Sequence, residues 1–333
     1  MKKCTKCGLS EALFSVTLDS DGVCNYCLNH KKEQKKVNKD IGDHEDIQLK
    51  DIVGKGKYDV LLAYSGGKDS TYLLYMLRKI YNLKVLTMTL DNGFLSQQTY
   101  KNIKTVTAAL DADNIMIAPS KQKLIRMFQF AEKEAKIPMK SLERASSICT
   151  YCIGIVKSCA YEQAIINEIP LITFGWTPGQ VQPLRQIIKL SPEMVNYNFK
   201  WMRKNLSDRF DHEFDNFFID DEFIQKNKDK VPYQFYPYCS DNYNEADIIK
   251  LISRYGWELP TDTDSNSSNC VLNTYAISKH VEKYQFHPYE FELCGLVREN
   301  LLSLDEMKAR IEKPLKKEII EYVQSEFDQY PID

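Results

Sequence analysis

From residue 58 onward, short apolar runs alternate with longer amphipathic stretches. Tyr58-Asp-Val-Leu-Leu-Ala-Tyr64, Val85-Leu-Thr-Met-Thr-Leu90, Asn114-Ile-Met-Ile-Ala118 and Leu171-Ile-Thr-Phe-Gly175 read as strands buried on both faces of a parallel sheet. Between the first two, Tyr72, Leu73, Met76, Leu77 and Ile80 recur at helical spacing and predict one apolar helix face. Strand alternating with helix predicts an α/β fold with a doubly wound parallel sheet over residues 55–190. Beyond Pro192 the regularity fades. Asp208-Arg-Phe-Asp-His-Glu-Phe-Asp-Asn-Phe-Phe218 reads as an amphipathic helix with an acidic face, and Tyr233–Cys239 as an aromatic loop or strand. Further helices are expected near 244–255, 272–284, 303–311 and 314–329, which makes 191–333 a mostly helical C-terminal region and the expected substrate domain.

The N-terminal segment has a different texture. Cys4, Cys7, Cys24 and Cys27 form C-x2-C-x16-C-x2-C, the spacing of a four-thiolate zinc site. Each pair aims two sulfurs at one ion, and two pairs close a tetrahedron. A 30-residue segment buries too little apolar surface to fold alone, so the metal supplies the missing free energy. Residues 1–30 are therefore expected to be a structural Zn²⁺ module with no part in chemistry. Within it Leu13–Leu18 alternates like a strand, and Asp21-Gly22 signals a hairpin turn. Residues 31–54 read as a linker whose lysines between 31 and 39 form a solvated face. A second C-x2-C pair, Cys149 and Cys152, lies mid-chain, and Cys270 sits in the polar loop Asp264-Ser-Asn-Ser-Ser-Asn-Cys270. Cys159, Cys239 and Cys294 have no partner at metal-ligand spacing and read as core residues.

The sharpest signal is Ser65-Gly66-Gly67-Lys68-Asp69-Ser70, directly between the first strand and the first helix. Two glycines let the backbone turn tightly and bring its N–H groups to an anion, and the helix N-terminus adds its positive end. Ser65 and Ser70 offer hydroxyls, Lys68 a charge for phosphate oxygens, and Asp69 a carboxylate to orient the loop or hold Mg²⁺. The pattern is not G-x-x-x-x-G-K-[ST], so it is not the common nucleoside triphosphatase loop.

Ser65–Ser70 resembles the S-G-G-x-D-S loop of the PP-loop ATP pyrophosphatases, adenine nucleotide alpha hydrolase-like proteins with a Rossmann-like fold. The resemblance covers residues 55–190. It implies cleavage of ATP between its α and β phosphates, transfer of AMP to a substrate oxygen, and displacement of that AMP by nitrogen or sulfur. It also implies that Tyr64 borders the nucleotide, that Asp91 lies near the adenosine, and that Gly175 closes the α-phosphate side.

Two subfamilies resemble more of the chain. Cys149, Cys152 and Cys270 match, in order and approximate separation, the three cysteines that hold a [4Fe–4S] cluster in the iron–sulfur tRNA thiolases, some of which also carry an N-terminal four-cysteine module. This chain lacks their second, C-terminal zinc module. Cys4–Cys27, Val85–Leu95 and the stretch from His287-Pro-Tyr through Leu296-Val-Arg to Ser303-Leu-Asp-Glu-Met307 resemble the N-acetyl sugar amidotransferases, which take ammonia from a glutaminase partner. The first resemblance implies a sulfurtransferase and a sulfur donor, the second an amidotransferase; three cysteines in the right order favour sulfur. A zinc-bearing ATP sensor or scaffold without turnover is the non-enzymatic alternative, against which the intact Lys68 and Asp69 count.

Composition changes this picture in two places. With 44 Lys plus Arg against 46 Asp plus Glu, the formal charge of −2 disfavours an acceptor held by bulk electrostatics, so a small molecule or sugar is preferred to tRNA. Ten cysteines, no apolar run long enough to span a bilayer and a basic start without an apolar core together suggest a reduced, cytoplasmic setting with no membrane partner.

Overall fold

Hydrophobic strands with side chains on alternating faces need a layer of helices on each side, and the chain supplies both. A computed structural model describes residues 2–30, 47–181, 185–237, 243–264 and 266–332. Its strands are β1 (Val60–Ala63), β2 (Val85–Leu90), β3 (Asp113–Ile117), β4 (Leu171–Phe174), β5 (Ile187–Lys189) and β6 (Tyr233–Phe235). They form one sheet in the order β3-β2-β1-β4-β6-β5, in which only the β5–β6 pairing is antiparallel. Val60 pairs with Val85 on one side and Leu171 on the other, so β1 is central. The strand order reverses between β1 and β4. In open α/β sheets a crevice at the carboxyl ends of the strands forms at that point.

Successive β1 residues feed two separate cores. Val60, Leu62 and Tyr64 pack with α1 (Lys68–Tyr75), α2 (Gln97–Ala109) and α6 (Glu245–Ser253) on one face. Leu61 and Ala63 pack on the other with α3 (Lys121–Lys133), α4 (Ser147–Ile166), α5 (Pro192–Phe210), α7 (Leu272–Tyr284) and α10 (Lys317–Asp328). A third cluster joins the N-terminal module to α8 (Glu290–Arg298) and α9 (Leu304–Ile311), through Leu9, Leu13, Phe291, Leu296 and Met307. The backbone of Ser10 donates to the Glu290 carboxylate at 2.6 Å, and Arg298 lies over the Tyr26 ring, so the module is anchored on α8 by more than apolar contact.

The α/β, doubly wound sheet expected from the apolar runs is present, and so are helices at the four C-terminal stretches. Several local expectations are corrected. Leu13–Leu18 forms turns rather than a strand, with only an isolated Leu18–Cys24 bridge, because Leu13 and Val16 point inward at a spacing of three. Gly22 does make the expected turn, at φ +73°. Ile80 leaves the helix face and is 57% exposed: Met76–Ile80 is a π-turn, whose wider winding rotates the last residues out of phase. β3 is the sheet edge, so its side chains are largely exposed instead of buried. The helix expected over 208–218 stops at Phe210, since Asp211 adopts φ +54°, and Phe214, Phe217 and Phe218 turn inward from a separate 3-10 turn. β6 comes from the region read as C-terminal, so the sheet runs across residue 190. Cys239 and Lys31–Lys39 lie outside the described residues.

Candidate active site at the carboxyl end of the sheet

The loop between β1 and α1 turns tightly on its glycines, with the Gly67 nitrogen donating to Ser65 Oγ at 3.3 Å. Gly66 sits at φ +74°, and a Cβ there would lie 2.7 Å from Ile103 and 2.9 Å from Thr99. The Gly66 carbonyl accepts from the buried Trp257 indole at 3.0 Å, which pins the turn from below. Gly67 caps α1 without a side chain of its own, leaving the helix N-terminus to face the cavity. The Ser65 and Ser70 hydroxyls are 3.1 Å apart, and Ser70 donates to the Gly67 carbonyl at 3.2 Å. Across the cavity a Cβ on Gly175, just past β4, would lie 3.1 Å from the Ser70 nitrogen. The end of β4 and the first turn of α1 therefore lie close together, with no room for a side chain at 175.

Lys68 extends into the same space. Its Nζ is 2.8 Å from Asp69 Oδ2 and 3.2 Å from the Tyr243 hydroxyl, which in turn donates to Asp69 Oδ1 at 2.7 Å. Glu245 stands 4.0 Å from the ammonium and is itself paired with Arg310 at 2.7 Å. Burial works against the Lys68 charge, but Asp69 and Glu245 outweigh it and hold its pKa above the ordinary lysine value. The ammonium is thus fixed as a cation beside the loop.

The three mid-chain cysteines meet this cavity, which has a volume of about 310 Å³. Ser146 caps α4 by accepting from the Cys149 nitrogen at 3.1 Å, which places Cys149 and Cys152 on its first turns. Cys270 arrives from the opposite side, bridged to Leu95. The Asn92 amide donates to Cys152 Sγ at 3.6 Å and to Cys270 Sγ at 3.4 Å. The Cys149 thiol donates to Asn273 Oδ1 at 3.6 Å, which also accepts from Tyr289 at 3.2 Å. Burial pushes the Cys149 thiol up to about 12 and raises Cys152 and Cys270 as well. Bare, they keep their protons at neutral pH; a bound metal would stabilise the thiolate form as its ligands. Asn266 lines the cavity with both amide atoms buried and unpartnered among the described residues, and Asn273 Nδ2 is likewise unpartnered.

Two expected residues stand elsewhere. Tyr64 points into the core beneath the sheet, its hydroxyl 3.1 Å from Thr71, because β1 alternation sends it away from the cavity. Asp91 is absent from the cavity wall: its carboxylate turns back to accept from the Gly93 nitrogen at 2.9 Å, and Asn92 faces the cysteines in its place. Sequence reading missed Asn92, Lys157, Trp176, Tyr243, Glu245, Ser268, Glu292 and Arg310, all in the wall. Ser268 accepts from the Lys68 nitrogen at 2.9 Å. Glu292 accepts from Thr177 at 2.7 Å, and burial pushes its carboxyl up to about 7.

The N-terminal cysteines form a separate centre. The ligating atoms of Cys4, Cys7, Cys24 and Cys27 all lie within 4.8 Å of one another, and this is the one such group of three or more potential ligands among the described residues. The Cys24 nitrogen donates to Cys4 Sγ at 3.2 Å. Hydrogen bonds from the Cys24, Cys27 and Cys294 thiols draw Cys7 down toward the thiolate form that a metal binds. Cys294, read from sequence as an unpaired core residue, is thus a neighbour of this centre, as is Arg298, whose Nη1 is 3.5 Å from Cys7 Sγ. The donor set fits one tetrahedral ion.

No family model matches the chain. It is 23% identical over 322 residues, 96% of either chain, to an uncharacterized protein from Methanocaldococcus jannaschii. A segment of 71 residues is 34% identical to argininosuccinate synthase from Nitratiruptor, covering 21% of this chain and 18% of that enzyme. Among solved structures, the U34-tRNA thiolase NcsA from Methanococcus maripaludis with its [4Fe–4S] cluster superposes at a TM-score of 0.39 and 15% identity, over 100% of this chain and 89% of that one. The NH3-dependent NAD synthetase from Campylobacter jejuni gives 0.30 and 11%, over 70% and 95%. Superpositions this loose carry no chemistry to the present chain. The Ser65–Ser70 loop at the β1–α1 junction and the short argininosuccinate synthase segment are the two features in which the chain is similar to the PP-loop ATP pyrophosphatases. No helix among the described residues is long and apolar enough to cross a membrane.

Proposed function

We propose that this protein uses ATP to adenylate a carbonyl oxygen of an acceptor and then replaces that oxygen by sulfur. The observation that carries the reading is one cavity whose wall holds both the phosphate loop with Lys68 and the three thiols of Cys149, Cys152 and Cys270. In the first step the acceptor oxygen attacks the α phosphate, the bond to the β phosphate breaks, and pyrophosphate leaves. Lys68 and the N–H groups at the start of α1 stabilise the charge that gathers on it. Asp69 and Glu245 are the carboxylates beside the loop from which Mg²⁺ would be held. In the second step sulfur adds to the activated carbon and AMP leaves with the former oxygen. AMP is a far better leaving group than oxide, which is what the first step accomplishes.

Three half-buried thiols from two sides of the cavity, with no imidazole in its wall, suit an iron–sulfur cluster. Bound there, a [4Fe–4S] cluster would supply a site for sulfide. Asn92, donating to two of the sulfurs, would orient the ligands, and Glu292 has a proton to exchange near neutral pH. To Cys4, Cys7, Cys24 and Cys27 we assign a structural zinc.

Exchange of radiolabelled pyrophosphate into ATP tests the reading. Exchange that requires Lys68 supports it, whereas ATP binding without pyrophosphate chemistry in the presence of acceptors would indicate a sensor. Exchange in a protein that never binds iron would shift the nucleophile to ammonia and the partner to a glutaminase.

A further inference from the structure

A second cavity, of about 640 Å³, opens beside the first. The two share Ile153, Lys157, Trp176, Gln180 and Glu292, so one wall serves both. Among aliphatic and small polar residues, its lining carries a set of aromatic rings and cations, part of it on the shared wall. Trp176 and Trp201 provide ring faces, with Tyr197 at the rim. Lys157 stands 5.3 Å over the Trp176 ring, and Arg144 lies across Phe291 while donating to the Gln180 carbonyl at 3.2 Å.

Neither Lys157 nor Arg144 is in an ion pair with a carboxylate among the described residues. Burial and the Arg144 charge both depress the Lys157 ammonium. The titratable side chains facing this cavity are Lys140, Arg144, Lys157, Tyr197, Tyr236 and Glu292, and only Glu292 can bring a negative charge. Its carboxyl holds its proton up to about pH 7, so it competes weakly for the two cations. A half-buried Lys157 over the Trp176 ring and an exposed Arg144 across Phe291, neither paired with a carboxylate among the described residues, leave a place for a ligand that brings both a ring and a negative charge.

We propose that this second cavity is the acceptor site, and that it takes a small ring compound carrying a phosphate, with the phosphate on Lys157 and Arg144 and the ring against Trp176 and Trp201. The shared wall would then point the acceptor at the loop and the thiols. The inference rests on the ATP-dependent reading above.

Its test is binding, followed by tryptophan fluorescence on the full chain. Uridine monophosphate and N-acetylglucosamine phosphate represent the two sources of a ring phosphate, with uridine, N-acetylglucosamine and inorganic phosphate as controls. At least one ring phosphate should bind more than about tenfold tighter than its neutral ring and than phosphate alone, and should still bind when ATP is saturating. Which of the two binds identifies the source. Arg144→Met should weaken it by more than about tenfold while ATP affinity is retained, and retained ATP affinity also reports an intact fold. If that variant loses ATP as well, Trp201→Leu, at a ring that lines the second cavity and not the first, repeats the measurement.

Binding unchanged in both variants, or competition between the ring phosphate and ATP, would overturn the inference. ATP binding with no ring-phosphate binding would overturn it alone. Ring-phosphate binding by a protein that never binds ATP would instead overturn the ATP-dependent reading.

Discussion

Glu292 offers a prediction whose size follows from its surroundings. It sits on α8 in the wall shared by both cavities, and burial moves its carboxyl from an ordinary 4.5 to about 7, against the lowering effect of the Thr177 hydrogen bond. Below its ordinary value, both the folded and unfolded chains hold the proton, and there is no contribution. Between that value and 7 the unfolded chain releases the proton while the folded one keeps it, so stability falls as pH rises. Above 7 the loss is complete and constant. A shift of this size corresponds to about 3 kcal/mol.

Glu292→Gln keeps an oxygen for Thr177 and removes the titration. Relative to wild type it should therefore be near neutral in stability at about pH 4.5 and more stable by about 3 kcal/mol at about pH 8. Urea unfolding of the two proteins across that range, without nucleotide, measures the difference directly. Because every other titrating group is common to both, a difference that does not change with pH would refute the argument.

Other perturbations address other parts of the site. Gly66→Ala places a methyl at positive φ and against Ile103 and Thr99, so ATP affinity should fall by more than about tenfold, read by calorimetry, while the N-terminal metal content stays unchanged. Lys68→Ala should slow pyrophosphate exchange at least about 100-fold with a smaller effect on ATP binding, as expected for a charge that matters most when pyrophosphate leaves. Cys24→Ser should reach further than the N-terminal module: its core is continuous with α8, whose N-cap Tyr289 and first-turn Glu292 line the cavity, so both zinc content and stability should fall, by several kcal/mol in a melt monitored by tryptophan fluorescence. A zinc-free variant with an unchanged melting temperature would contradict that docking.

How much was legible in the sequence depended on how local each signal is. The phosphate loop could be read because strand, glycines and helix start are consecutive. Cys149 and Cys152 share a helix start, which their C-x2-C spacing alone does not reveal and only the resemblance implied. Cys270 could be connected to them only through resemblance, since 118 residues of chain separate it from Cys152 and nothing local indicates that Asn92 will join the two. Lys157, Glu292 and Arg310 look like ordinary surface charges in an amphipathic helix; their chemistry comes from packing against elements far away in the chain. Hydrophobic period also misleads where winding changes, as at Ile80 after the π-turn and at Asp211, where a left-handed residue ends α5. β5 and β6 are three residues each, too short for any periodicity to register. Tyr64 faces the core for a simpler reason: strand alternation, carried one residue past Ala63, turns its side chain to the opposite face.

The most direct test of the central claim is the iron and acid-labile sulfide content of the protein purified without oxygen, compared with Cys149→Ala, Cys152→Ala and Cys270→Ala. The account predicts about four irons and about four sulfides per wild-type chain, together with one zinc, and loss of iron but not zinc in each variant. Zinc alone after anaerobic reconstitution, or iron that survives all three substitutions, would contradict it.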